Sequence, residues 1–153
     1  MMKVSGKDIV FVSVQFALFI SYFFEFTGRV ELSVPWKTAG LLVSILGAFV
    51  VLIALLQLNK SLSPFPTPIS GGKLRTHGLY AIVRHPIYTG IIMMGLGYGL
   101  YQQSTWKWIV SIALLILFYF KSEYEEQLLA EKFKDYPSYK KQTGRSLPKF
   151  KKP

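Results

Sequence analysis

Apolar residues occur in long blocks along this chain, and the charged residues are concentrated between the blocks. The clearest block covers Thr38 to Leu58, twenty-one residues of which only Thr38, Ser44 and Gln57 are polar. A helix of this length rises about 30 Å, which matches the hydrocarbon thickness of a bilayer. The pattern therefore predicts a transmembrane helix in this block.

Three other apolar blocks predict further helices, at Ile9 to Phe24, Pro86 to about Tyr101, and Trp106 to Phe120. No small-residue cleavage site follows the first block, so we expect a retained helix rather than a signal peptide. Pro86 suits the first turn of a helix, because the missing N–H of proline has no intrahelical partner there. The predicted fold class is an all-α, polytopic membrane helix bundle with about four transmembrane helices.

Prolines and glycines mark the region between the second and third predicted helices. Asn59 to Arg84 contains three prolines and two adjacent glycines, which exclude a long helix. The third helix itself contains Gly95, Gly97 and Gly99. Because no strand precedes these glycines, close helix packing is favoured over a nucleotide-binding loop.

After the fourth block the chain turns polar but keeps a helical pattern. Glu125, Leu129 and Phe133 are spaced by four residues, which places them on one helix face. We expect Pro137 to end this cytoplasmic helix, because the residue before a proline avoids helical geometry. The remaining stretch, Ser138 to Pro153, is a basic tail.

The formal net charge of +10 results from eighteen Lys and Arg against eight Asp and Glu. Nucleic-acid binding is one explanation of such a charge. Basic residues beside apolar helices, however, are first of all topology determinants and anchors to anionic lipid headgroups. We therefore expect membrane lipids, and no nucleic acid, as partners. The chain has no cysteine, which excludes disulfides, zinc-thiolate sites and a cysteine nucleophile.

The distribution of positive charge predicts the orientation in the membrane. With four spans, the N-terminus, the 59–86 loop and the C-terminal tail lie on one side. Only three of the eighteen Lys and Arg, namely Arg29, Lys37 and Lys107, lie on the other side, which leaves fifteen on the first. The positive-inside rule places that first side in the cytoplasm. We expect an integral, multi-pass membrane protein with both termini in the cytoplasm.

Polar residues that could carry chemistry cluster at two places on this cytoplasmic side. Both histidines, His77 and His85, precede the third helix, and Arg84 and Pro86 flank His85. The segment is either a juxtamembrane loop whose arginine reaches lipid headgroups or an anion site at a helix N-terminus. The second cluster contains three carboxylates and is either a solvated helix face or a partner for a zwitterionic ligand: Glu123, Glu125 and Glu126.

These two segments contain two extended motifs. The first motif consists of His77-Gly78-Leu79-Tyr80, Arg84-His85-Pro86, Tyr88 and Gly90. The second motif consists of Glu125-Glu126, Leu129, Phe133, Tyr136, Tyr139, Arg145 and Pro148. Together they resemble the isoprenylcysteine carboxyl methyltransferase and phospholipid methyltransferase superfamily. The motifs have the order found in those enzymes, flank a helical hairpin and together cover roughly residues 74–148.

The resemblance implies a single integral membrane methyltransferase domain over residues 1–153, with its catalytic half at about 74–148. It implies transfer of a methyl group from S-adenosylmethionine to a lipophilic acceptor at the cytoplasmic membrane surface, without a metal. The acceptor is either a prenylcysteine-type carboxylate or a phospholipid-type amine.

The implied site residues come from both motifs. Arg84, His85 and Glu126 are the expected catalytic residues, and which of them contacts cofactor or acceptor stays open. The expected cofactor-binding residues are His77, Gly78, Tyr80, His85, Pro86, Tyr88, Glu125, Glu126, Leu129 and Tyr139.

One position departs from the carboxyl methyltransferases of this group, in which an arginine commonly precedes the glutamates. This chain has Lys121 there. A lysine supplies positive charge, but it cannot form the planar, bidentate hydrogen bonds that an arginine forms with a carboxylate. The substitution therefore weakens the case for a prenylcysteine carboxylate as acceptor.

Two other functions remain as alternatives. Membrane sterol reductases, which use NADPH, have a similar C-terminal half. The segment Phe133 to Pro137 partly resembles the corresponding sequence of those enzymes. A non-catalytic membrane protein that retains the fold is the second alternative. The paired glutamates and the segment from Arg84 to Gly90 fit the methyltransferases better.

The predicted topology can be tested with a reporter that is active only outside the cytoplasm. Fused to the C-terminus, it should give no signal, because the charge distribution places this terminus inside. The same reporter placed in the short connection around Arg29 should be active. A strong signal from the C-terminal fusion would mean that the number of spans is odd.

Overall fold

The computed structural model describes residues 4–58 and 63–149. Outside the described residues lie Lys3 and Lys60, which were counted in the predicted topology, and the end of the basic tail, residues 150–153. The described residues form six helices: α1 (Gly6–Ser21), α2 (Val34–Leu58), α3 (Leu79–Ile82), α4 (Pro86–Tyr101), α5 (Thr105–Lys132) and α6 (Tyr136–Gln142). Within the described ranges the only β-type pairings are two isolated bridges. The predicted all-α fold is confirmed.

The four long helices run in alternating directions. Helix α4 packs between α2 and α5, and α1 packs against α5. The antiparallel order is visible at both ends of α1 and α5, where Trp106 Nε1 donates to Ser21 O and Ser5 Oγ lies 3.1 Å from Tyr124 Oη. Consequently the start of α1, the start of α4 and the last turns of α5 lie at the same end of the bundle.

Glycines allow α2 and α4 to approach closely. A Cβ atom on Gly40 would lie 2.7 Å from Gly97 O, and one on Gly47 would lie 2.7 Å from Gly90 O. Small residues at such contacts let helix backbones pack against each other in a membrane. On its other side α4 approaches α5, where a Cβ on Gly95 would lie 2.6 Å from Ser111 Oγ. The predicted packing role of the α4 glycines is confirmed.

The outer surface of the bundle is apolar, as in a membrane protein. Large side chains on α2 are more than half exposed, including Leu42, Phe49 and Leu56. Helices α2 and α5 are long and apolar enough to cross a membrane, and α1 and α4 have sixteen residues each. Sixteen residues rise only about 24 Å, so these two helices are short for a hydrocarbon core of about 30 Å.

Helix boundaries differ from the sequence prediction at several points. Helix α1 begins at Gly6, because Ser5 and Asp8 form a reciprocal capping box, and it ends at Ser21 instead of Phe24. Helix α2 begins one turn earlier than predicted, at Val34. The prediction that Pro137 ends the long cytoplasmic helix was wrong.

The reason for that error is local backbone geometry. Helix α5 stops at Lys132, and Phe133 takes an extended conformation with φ −118° and ψ 114°. Pro137 lies in the first turn of the separate helix α6, a position that tolerates a missing N–H.

The glycine contact between α2 and α4 predicts a specific loss of stability. We expect Gly97→Ala to reduce the free energy of unfolding in detergent by about 1 to 3 kcal/mol, because the added methyl group collides with the α2 backbone. Gly6→Ala is the matched control, since a Cβ there meets no atom within 4 Å. Equal thermal unfolding temperatures for the two variants would contradict this account of the helix contact.

Candidate active site

The Arg84-His85-Pro86 element connects α3 to α4, and the C-terminal segment pairs with it. Arg84 N donates to Gly144 O at 2.8 Å, and His85 N donates to Arg145 O at 3.0 Å. Pro86 is the first residue of α4, as the sequence predicted. The backbone N–H groups before α4 are thus occupied by carbonyls of the chain.

Glu126 on α5 holds this element from the other side. Its Oε1 accepts from Arg84 Nε at 2.8 Å and lies 3.1 Å from His85 Nε2. Arg145 Nε lies 3.6 Å from the same oxygen, and Lys140 Nζ lies 2.9 Å from Oε2. The side chain of Glu126 is only 1% exposed and that of Arg84 is 8% exposed. The structure thus brings the three predicted catalytic residues, Arg84, His85 and Glu126, into direct contact.

Arg84 is also fixed by α6 and the residue that follows it. Its Nη1 donates to Lys140 O at 3.2 Å and to Thr143 O. A planar guanidinium with five donors can satisfy one carboxylate and two carbonyls at once. Arg84 therefore joins α5, α6 and the start of α4.

Glu125 points in a different direction, because successive helical residues are turned by about 100°. It is partly exposed, accepts a hydrogen bond from Tyr88 Oη at 2.9 Å, and its Oε2 lies 3.8 Å from His85 Nδ1. The Tyr88 ring stacks on His85 and on Phe118, with centroid distances of 5.4 Å and 4.5 Å. This carboxylate is therefore oriented by a hydroxyl and an imidazole while it remains accessible.

Two clefts meet at His85 and Glu125. The loop-side cleft lies between residues 63–75 and helices α5 and α6, and it has a volume of about 710 Å³ including space open to solvent. The bundle cleft lies between α1, α2, α4 and α5, and it has a volume of about 800 Å³ measured in the same way.

Most of the predicted site residues surround these clefts. Those that line both are Tyr80, Arg84, His85 and Glu125. Those that line only one of the two are Leu129 and Tyr139 in the loop-side cleft and Pro86 and Tyr88 in the bundle cleft.

Three predicted residues are not among the described residues that line either cleft. Glu126 is buried behind Arg84 and His85, and His77 is exposed. Gly78 has a φ of +65°, and a side chain there would collide with Gln57, whose Oε1 accepts from the backbone N of the next residue at 2.9 Å. Gly78 therefore sets the approach of α3 to α2, and contact of these three residues with a cofactor stays a prediction.

Tyr80 and Tyr139, two of the tyrosines that line the loop-side cleft, are neutral hydrogen-bonding groups. Burial raises the pKa of Tyr139 to about 12, and burial also raises the pKa of Tyr80 well above its usual value. Tyr139 Oη donates to Tyr80 O, which ties α6 to α3. Neither hydroxyl ionises near neutral pH, so neither can act there as a phenolate base.

The sequence did not predict that residues 63–75 form one wall of the loop-side cleft. Arg75 lines the loop-side cleft, and its Nε is buried without a hydrogen-bond partner among the described residues. The wall is held by Thr67 Oγ1, which donates to Asp8 Oδ2 at 2.5 Å, and by Lys132 Nζ, which donates to Ile69 O. The alternating prolines could have indicated an ordered wall in the sequence, because proline fixes φ and stiffens an extended segment.

Comparison with known proteins agrees with this geometry. Residues 36–136 match the phospholipid methyltransferase family, a stretch that runs from the first turn of α2 to the start of α6. The chain belongs to this family.

The fold of this family member is similar to a solved structure of the eukaryotic intramembrane Ras methyltransferase, isoprenylcysteine carboxyl methyltransferase. The TM-score is 0.68 at 22% sequence identity, and the match covers 94% of this chain and 53% of the other. The chain thus spans about half the length of that protein. A search of curated proteins found no match.

The central role of Glu126 predicts a loss of stability on its neutralisation. Glu126→Gln leaves Arg84, His85 and Lys140 without their carboxylate, so we expect unfolding to become easier by about 3 to 5 kcal/mol. Trypsin cleavage after Lys140 and Lys141 should also become faster, since α6 loses its anchor. Thermal unfolding and timed proteolysis measure the two effects.

Glu131→Gln is the matched control, because Glu131 is an exposed carboxylate on the same helix. It should behave as the unchanged protein in both assays. If Glu126→Gln behaved like this control, the ion pairs around Glu126 would not hold the site together.

Proposed function

We propose that this protein transfers a methyl group from S-adenosylmethionine to a lipophilic acceptor at the cytoplasmic surface of a membrane. The observation that carries the proposal is the convergence of the two family motifs. They are separated in sequence by the α4–α5 hairpin, yet their side chains surround one pair of clefts at the polar end of an apolar bundle. The family match favours this function over an NADPH-dependent reductase.

The loop-side cleft has the chemistry that S-adenosylmethionine requires. Arg75 supplies a buried N–H without a described partner, which suits the carboxylate of the methionine moiety. Glu125 is a partly exposed carboxylate that can accept from an ammonium or from ribose hydroxyls. Leu129 and Phe133 offer an apolar surface for the adenine ring. The residues present therefore fit this cofactor.

When bound, S-adenosylmethionine supplies an activated methyl group on a sulfonium sulfur. The chain's own task is to align the acceptor with that methyl group and to exclude water. His85 and Tyr80 lie on the boundary of both clefts, where ligands in the two clefts would meet. Glu126 acts behind them, because it fixes Arg84 and His85 without lining either cleft.

The bundle cleft fits a lipophilic acceptor. Leu55 on α2 and Ile87 and Ile91 on α4 line its inner part, and the apolar outer surface of the bundle surrounds it. An acceptor with a hydrocarbon chain could lie among these side chains while its reactive group faces His85. We further propose a multi-pass topology with cytoplasmic termini, in which the reaction would occur at the inner leaflet. We also propose one catalytic domain whose partners are membrane lipids and not nucleic acid.

Cofactor binding tests the proposal directly. Calorimetric titration of the purified protein in lipid nanodiscs should show binding of S-adenosylmethionine and none of NADPH. Glu125→Gln should weaken the binding by about 1 to 3 kcal/mol, the usual effect of losing a charged hydrogen-bond partner. Glu123→Gln is the matched control, because Glu123 is exposed two residues away on the same helix.

Two results would contradict the proposal. One is the absence of S-adenosylmethionine binding at millimolar concentration by folded protein. The other is tight binding of NADPH in its place.

A further inference from the structure

Lys121 is a buried cation to which the proposed reaction assigns no role. It lies on α5 one turn before Glu125, its side chain is 1% exposed, and it lines the bundle cleft. Its Nζ donates to Gln15 Oε1 at 2.6 Å and to Pro64 O at 2.8 Å. The same atom lies 5.5 Å from the centroid of the Tyr88 ring. All of these partners are electrically neutral.

No carboxylate of the described chain forms an ion pair with Lys121. Glu125 and Asp8 influence it electrostatically, but neither comes within the 4.0 Å of an ion pair. An ammonium carries three N–H donors, and Gln15 and Pro64 use two. A buried charge is costly unless it is paired. The third N–H has no hydrogen-bond partner among the described residues, and no described carboxylate supplies an anion for it.

The surroundings of Lys121 define what kind of anion can reach it. The bundle cleft has a polar end with His85 and Glu125 and an apolar inner part with Leu55 and Ile91. A free inorganic anion would leave that apolar part unfilled. A molecule with a hydrocarbon chain and one anionic head group fills both parts.

We propose that Lys121 binds an anionic oxygen of the methyl acceptor, so that the acceptor is a lipophilic oxygen acid and not an amine. This inference rests on the proposed methyl transfer. Because the described residues leave one N–H without a partner, Lys121 holds one oxygen at a time. Both a carboxylate and a phenolate satisfy this requirement, and neither needs the bidentate contact that an arginine would give.

The reaction balances without a proton acceptor. With S-adenosylmethionine bound, the anionic oxygen would attack the methyl carbon; a C–O bond would form as the S–CH₃ bond broke, and the electron pair of that bond would stay on sulfur. The products are a neutral methyl ester or ether and a neutral thioether. Lys121 keeps its proton throughout, and its charge favours the ionised form of the acceptor oxygen. An alkylammonium next to Lys121 Nζ would be repelled by this charge, so an amine would have to lie against Glu125 at the polar end of the same cleft instead.

Three probes with the same dodecyl chain test the inference: tridecanoate, 4-dodecylphenol and dodecylamine. Their dissociation constants are measured for the protein in phosphatidylcholine nanodiscs, with empty nanodiscs as the background. At least one of the two acids should bind roughly tenfold or more tightly than the amine. The better acid identifies the oxygen class as carboxylate or phenol.

Variants of Lys121 test whether this residue causes the preference for the acid. Lys121→Gln should remove the preference for the acid, Lys121→Arg should retain it, and neither should change the affinity for S-adenosylmethionine. Lys107→Gln is the matched control, since Lys107 lies on the same helix at the opposite end and pairs with Glu25. Thermal unfolding reports whether each variant is folded.

The ranking of probes by the unchanged protein does not depend on any variant. Tighter binding of the amine, equal binding of all three probes, or no binding above empty nanodiscs would overturn the inference. So would an unchanged acid preference in folded Lys121→Gln. Loss of S-adenosylmethionine binding by the unchanged protein would instead contradict the proposed function, which separates the two failures.

Discussion

The carboxylate of Glu126 is the interaction on which the candidate site depends. It is almost completely buried, and the cations of Arg84, Arg145 and Lys140 surround it together with His85. A buried carboxylate is tolerated only when it is paired and hydrogen-bonded in this way. Because its partners belong to three different parts of the chain, this one group fixes the start of α4, helix α6 and the C-terminal segment against α5.

The rest of the bundle supplies a rigid frame for the end that contains Glu126. Glycine contacts let α2 and α4 approach backbone to backbone, while Tyr88 stacks between His85 and Phe118. The frame presents apolar side chains outward and brings the polar groups of the candidate site together at one end. Two clefts therefore adjoin there, one lined with charged and aromatic groups and the other extending among apolar helices. In the proposed reaction, this arrangement would let a polar cofactor and a lipophilic acceptor approach the same residues from different sides.

Prediction from sequence succeeded where the signal is local. Hydrophobic blocks indicate helices because the backbone must satisfy its own hydrogen bonds in lipid, and Pro86 marks the start of α4 for a similarly local reason. Prediction failed at Pro137, because a proline is compatible both with the end of one helix and with the first turn of the next. The conformation of Phe133, which separates α5 from α6, has no comparable signal in the sequence.

The sequence by itself determined the all-α class, the approximate helices, and the two motifs that carry the family resemblance. Only the tertiary structure decided how the motif residues divide their tasks. Glu125 and Glu126 are adjacent and chemically identical, yet one faces a cleft and the other is buried among cations. Likewise Lys121 is one of eighteen basic residues, and only its neighbours Gln15 and Pro64 show that it is buried beside a cleft. Such differences depend on contacts between residues far apart in the chain, and periodicity along the chain carries no information about them.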